Sequence, residues 1–116
     1  MTIRDLQKEN RLFGAVVHGG LDYLAGRVAE DTSLDTEGQT ADVPWPIDTL
    51  LTESGSDNSR LPSLQIFITD MAEIGAMNRA WNASLYPKAK PARATVQAAL
   101  AGPAQKVEMT GIATVS

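Results

Sequence analysis

The chain contains no cysteine, which removes disulfides, zinc–thiolate centres and thiol nucleophiles from consideration and is compatible with a reducing compartment. It has a single histidine, His18, with no partner at metal-ligand spacing, so no metal site is expected; His18 precedes Gly19 and Gly20 and reads as a turn residue. Basic charge is also scarce. Ten Lys and Arg stand against fourteen Asp and Glu, for a net charge of -4, and the basic residues are scattered. Phosphate binding relies on clustered Lys and Arg, so nucleic acid is not expected as a main partner. No apolar run approaches the roughly 20 residues that cross a bilayer, and Met1 to Asn10 is charged, without the apolar centre of a signal peptide. The expectation is a cytoplasmic protein with no membrane partner.

What is present fits one α+β domain spanning residues 1–116, with 43% hydrophobic residues to build one core. A domain this small leaves much surface exposed, and oligomerisation is a natural way to bury more. Phe13 to Val17 and Leu21 to Ala25 flank His18-Gly19-Gly20 and predict a β-hairpin, because glycine reaches the positive φ that tight turns need. Asp31 to Gly38 reads as a polar loop. Val43, Ile47, Leu50 and Leu51 recur at helical spacing between Gln39 and Ser54, with Gly55 placed as a C-terminal cap. Pro44 and Pro46 conflict with a helix interior. Leu64 to Thr69 predicts a strand, and Ala72 to Leu85 a second helix in which Met77 and Trp81 read as core. Two strands, about Ala92 to Ala99 and Lys106 to Val115, complete the order ββαβαββ, with both helices on one face of a sheet.

The chemistry concentrates near the end. Pro91-Ala-Arg-Ala-Thr-Val96 and Val107-Glu-Met109 place one arginine and one carboxylate in otherwise apolar strand patterns, expected on adjacent strands. Burying either charge unpaired is costly, so the two suggest a structural ion pair or a ligand site. Alternation puts Arg93, Thr95 and Gln97 on one face, and Ala92, Ala94, Val96 and Ala98 on the other, a small apolar face suited to packing under helices. Glu108, Thr110, Ile112 and Thr114 share a face of the last strand. If the two strands are neighbours, their polar faces line one pocket.

Residues 91 to 109 match the signature of the RidA family, also known as YjgF/YER057c-type proteins, and the resemblance extends over nearly the whole chain. Tyr23-Leu-Ala-Gly26, Gln39-Thr40, Ile47-Asp48, Leu50-Leu51, Gly55, Asp70-Met71 and Met77-Asn78 agree with it. The resemblance implies a chorismate-mutase-like fold, a homotrimer with clefts between subunits, and hydrolysis of reactive enamines and imines to 2-oxo acids and ammonia without a cofactor. It implies that Arg93 grips a substrate carboxylate and that Glu108 positions or activates water. Thr95 and Asn78 would line the same cleft. Three positions depart from the pattern: Leu12 or Phe13 replaces a tyrosine, Ala25 a serine, and Arg27 a glutamine. Binding of a small carboxylate without efficient turnover is therefore a second reading.

A third reading comes from Pro44-Trp45-Pro46, where relatives run a continuous helix. Trp is enriched at interface anchors. With Leu61 nearby, these residues suggest a RidA-type trimer whose outer surface was remodelled, as in an engineered variant, to contact a second protein or further copies of itself as an assembly or cage component with no required catalysis.

Overall fold

The structure, a computed structural model, describes residues 3–8, 13–43, 62–84 and 92–114. Six strands form one sheet in the order β1-β2-β3-β6-β4-β5. They are β1 (Arg4–Lys8), β2 (Phe13–His18), β3 (Leu21–Val28), β4 (Ser63–Ile68), β5 (Ala92–Gln97) and β6 (Val107–Thr114). The helices are α1 (Thr36–Asp42) and α2 (Ile74–Ser84), the latter led in by a 3₁₀ turn at Met71–Glu73. The architecture is α+β and chorismate-mutase-like, with the expected ββαβαββ elements preceded by one more strand, β1. Its sequence, RDLQK, carries no apolar alternation, and it forms by adding antiparallel to the edge of β2. No helix among the described residues is long and apolar enough to cross a membrane.

The β2–β3 hairpin forms as the sequence indicates. Gly19 and Gly20 sit at φ 63° and 78°, so the two-residue turn closes directly between His18 and Leu21. β3 then pairs with β6, with an irregularity in register between Leu24 and Arg27.

α1 begins at Thr36, inside the segment expected to be loop. The carboxylate of Asp35 caps it by accepting the Gly38 N–H at 2.8 Å. Its buried residues are Thr36, Gln39 and Thr40, so apolar periodicity could not mark its start. The expected continuation through Ile47, Leu50 and Leu51 to Gly55 lies outside the described residues, as do Pro44, Trp45, Pro46, Leu61 and Leu12. α2 starts at Ile74 after the Asp70-capped turn, close to the expected Ala72.

The core lies between the helices and one face of the sheet. Leu64, Ile66 and Ile68 of β4 and Val107, Met109 and Ala113 of β6 are buried with Val43, Met77 and Trp81. Register decides which face each strand turns inward. Leu64, Ile66 and Ile68 stand opposite Arg93, Thr95 and Gln97 on one side, and opposite Gly111, Met109 and Val107 on the other. Arg93, Thr95 and Gln97 thus share the helix-bearing face. The expectation that the small residues of β5 pack under the helices is reversed: Ala92, Ala94 and Val96 look away from the helices and are exposed.

Candidate functional site

β5 and β6 are not neighbours. β4 lies between them, parallel to β5 and antiparallel to β6. The reason is burial: β4 carries three fully buried aliphatic side chains and is best satisfied with a partner on each side, whereas β5 is exposed along most of its length and serves as an edge. Glu108 pairs with Phe67, which in turn pairs with Val96, so Glu108 belongs to the open face. Arg93 belongs to the helix face. Within one chain the two charges therefore stand on opposite faces of the sheet and two strand steps apart, about 10 Å before their offset along the strands is counted. They line no common pocket of one protomer and form no ion pair within it. Among the described residues the salt bridge is Arg79 to Glu37, at 2.7 Å between α2 and α1.

Arg93 has a defined setting. Its guanidinium lies over the indole of Trp81, 5.2 Å from the ring centre. Trp81 is held in the core at 8% exposure, so the ring is a fixed platform beneath an exposed cation. Four residues further along β5, the Gln97 Oε1 accepts the Met71 N–H at 2.8 Å. The first link ties α2 to β5 and the second ties the 3₁₀ turn before α2 to the same strand, so this segment runs antiparallel along β5. Between them lie Thr95 on β5 and Asn78 on the helical turn before Trp81. The Thr95 Oγ1 and Asn78 Oδ1 are buried and accept or donate no hydrogen bond. Leaving a buried polar atom unsatisfied costs roughly 1–3 kcal/mol, which a bound ligand would offset. The structure thus gathers Arg93, Thr95 and Asn78 into one layer between α2 and the sheet edge.

Glu108 occupies a second locus. Its carboxylate lies against Gly26 so closely that a Cβ added there would collide with Oε2. Gly26 lies within the register irregularity of β3, between Leu24 and Arg27. Beside it Ala25 offers no hydroxyl, and the Thr110 Oγ1 is committed to the Leu24 carbonyl at 2.6 Å. A depression of about 220 Å³ on the same open face is lined by Tyr23, Ser63, Gln65, Thr110 and Ile112. It includes neither Arg93 nor Glu108.

Sequence reasoning assigned Trp81 to the core alone and missed its place under Arg93. The signal was available only in part, since alternation puts Arg93 on a face but does not say which helix covers that face. It also passed over Gly26 as the residue that lets Glu108 approach.

The fold and these two loci define a chorismate-mutase-like α+β protein with an arginine-bearing edge and a carboxylate on the open sheet face. Comparison with known proteins agrees. A family model described as endoribonuclease L-PSP matches residues 2–115. A RutC family protein of Haemophilus influenzae is 40% identical over 115 residues, 98% of this chain and 99% of the relative. The RutC family protein YoaB of Escherichia coli is 37% identical over 115 residues, 99% of this chain and all of the relative, a coverage of 100%. The crystal structure of NMB1025, a YjgF family member from Neisseria meningitidis, superimposes with a TM-score of 0.94 at 37% identity, covering 100% of this chain and 97% of the other. The chain belongs to the RidA/YjgF family.

Proposed function

We propose that the chain acts as a homotrimer that hydrolyses reactive enamine and imine acids to 2-oxo acids and ammonia in clefts between subunits. The observation that carries this reading is the placement of Arg93 and Glu108 on opposite faces of one sheet. A substrate of a few carbon atoms cannot touch both within one chain. It can do so between two copies, with Arg93 from one subunit and Glu108 from the next. The open face supports association: Val96 and Tyr23 are 47% and 44% exposed, with Ala92 and Ala94 bare beside Val96. Apolar surface exposed at these positions is more stable covered.

In the cleft the fork of Arg93 takes the substrate carboxylate through two parallel hydrogen bonds. Glu108 orients a water toward the imine carbon. Water adds across C=N to give a carbinolamine, and collapse of that adduct expels ammonia and leaves the 2-oxo acid. No redox step is involved. One arginine suffices to grip a small carboxylate, whereas RNA needs an extended basic surface, which ten scattered Lys and Arg in a chain of net charge -4 do not favour.

A second reading, carboxylate binding without turnover, is favoured by Ala25. It leaves Glu108 without a neighbouring hydroxyl, so water positioning rests on the carboxylate alone. For the remodelled assembly component, Pro44, Trp45, Pro46 and Leu61 lie outside the described residues, and the family relatives give that reading no support.

The test uses 2-aminoacrylate generated in situ from serine by a pyridoxal-phosphate-dependent dehydratase, with pyruvate formation followed above the spontaneous rate. The wild-type chain is expected to accelerate it, and Arg93→Ala and Glu108→Gln to lose the acceleration. Co-refolding the two inactive variants in equal amounts is expected to restore about one quarter of the activity, the fraction of cyclic interfaces that receive an intact residue from each side. No recovery on mixing would overturn the intersubunit site. Absence of acceleration by the wild type, with pyruvate still raising its Tm, would favour the binding reading.

A further inference from the structure

We propose that Trp81 is a positioning residue for Arg93, and that its indole face sets the affinity of the cleft for a carboxylate; this rests on the function proposed above. Arg93 sits on an edge strand with an exposed side chain, where an arginine loses considerable rotamer freedom if it must hold one orientation. Nothing else on the described part of the chain fixes it: no ion pair involves Arg93. The contact that remains is the indole of Trp81, 5.2 Å below the guanidinium carbon.

Trp81 is suited to this task because it is itself immobile. It belongs to the core cluster with Met77, Leu64 and Ile66, and the 3₁₀ turn that leads into α2 is tied to β5 at Gln97. An indole face attracts a cation over its ring, and arginine stacks on it as well. A guanidinium that stacks by its flat face on an aromatic ring keeps its N–H edges free. Those edges are what a carboxylate needs, since two parallel N–H groups bind it in the plane of the fork. A carboxylate partner on the protein would have consumed the same donors, so an aromatic platform orients Arg93 without competing with substrate. Preorganisation of this kind reduces the ordering that binding would otherwise require.

The role is distinct from packing alone. A leucine at position 81 fills much of the space but presents no ring face, whereas phenylalanine keeps a weaker one. The experiment combines two readouts on wild type, Trp81→Leu and Trp81→Phe. In the first, the Arg93 Nε–H proton is assigned by NMR with the help of Arg93→Lys and is expected upfield of its usual position because it lies in the ring current of the indole. In the second, pyruvate binding is titrated by calorimetry and imine hydrolysis is assayed. The expectation is loss of the upfield shift in Trp81→Leu, weaker pyruvate binding and higher KM by about tenfold, and kcat within about threefold of wild type, with Trp81→Phe largely rescued. An Arg93 proton at its ordinary position in the wild type overturns the contact. A shifted proton with unchanged pyruvate affinity in folded Trp81→Leu overturns the positioning role and leaves the proposed function standing. A shifted proton in a wild type that neither binds pyruvate nor hydrolyses imines overturns the proposed function and, with it, this role.

Discussion

The backbone N–H of Lys106 donates to the Oε1 of Gln39 at 2.9 Å, across 67 positions of sequence. The same amide donates from Nε2 toward the carbonyls of Ala104 and Leu34, both at 3.0 Å, and of Thr32 at 3.2 Å. One fully buried side chain thus joins α1, the loop before it and the lead-in to β6. That lead-in sets where Glu108 falls two residues later. Replacing Gln39 with leucine is expected to destabilise the chain by about 1–3 kcal/mol, because four part-buried hydrogen bonds to backbone groups are lost at once. Urea unfolding measures it. Arg79→Ala, which removes an ion pair whose side chains are 69% and 45% exposed, is expected to change stability by less than about 1 kcal/mol in the same assay.

Gly26→Ala separates catalysis from folding. The added methyl group meets the end of the Glu108 side chain, which can swing away into the open face at little cost to stability. Glu108 then no longer stands where it orients water. A misplacement of this size is expected to lower kcat/KM by roughly 100-fold while Tm moves by less than about 3 °C. A large loss of Tm would show that Gly26 serves folding instead.

Arg93→Lys keeps the charge and removes both the planar fork and the stacking on Trp81. Pyruvate affinity is expected to fall about 10–100-fold, with an unchanged urea midpoint. Calorimetry and equilibrium unfolding on the same preparation check both halves.

Asp31 supplies a pH-dependent element away from the cleft. The Ser33 hydroxyl, at 2.6 Å, and the Ser33 backbone N–H, at 3.1 Å, both donate to its carboxylate and hold its pKa below the usual 3.8. A carboxylate whose pKa is lowered on folding contributes stability above its unfolded value and loses that contribution as pH falls through the folded value. Ser33→Ala is therefore expected to raise the Asp31 pKa toward 3.8, observable by NMR titration. The variant should be slightly less stable than wild type at neutral pH, and the two should converge at strongly acidic pH.

Much of the frame was legible in the chain because local physics dictates it. Gly19 and Gly20 had to be a turn, since few other residues accept positive φ at both positions. The alternation in Leu64, Ile66 and Ile68 marked a strand with one buried face, and Met77 with Trp81 marked the inner side of a helix. β1 and the first turn of α1 were not legible, because polar residues form them through pairing and capping and not through apolar periodicity.

The sequence by itself determined that Arg93 shares a face with Thr95 and Gln97, and Glu108 with Thr110, because side chains alternate along any strand. It also determined that the chain has too little basic charge for an extended phosphate-binding surface. Only the tertiary structure decided that β4 stands between those two strands and that the arginine looks toward the helices while the glutamate looks away. The physical reason is that strand order is set by which strand gains most from burial on both flanks. β4 gains most, and nothing local to β5 or β6 records that competition.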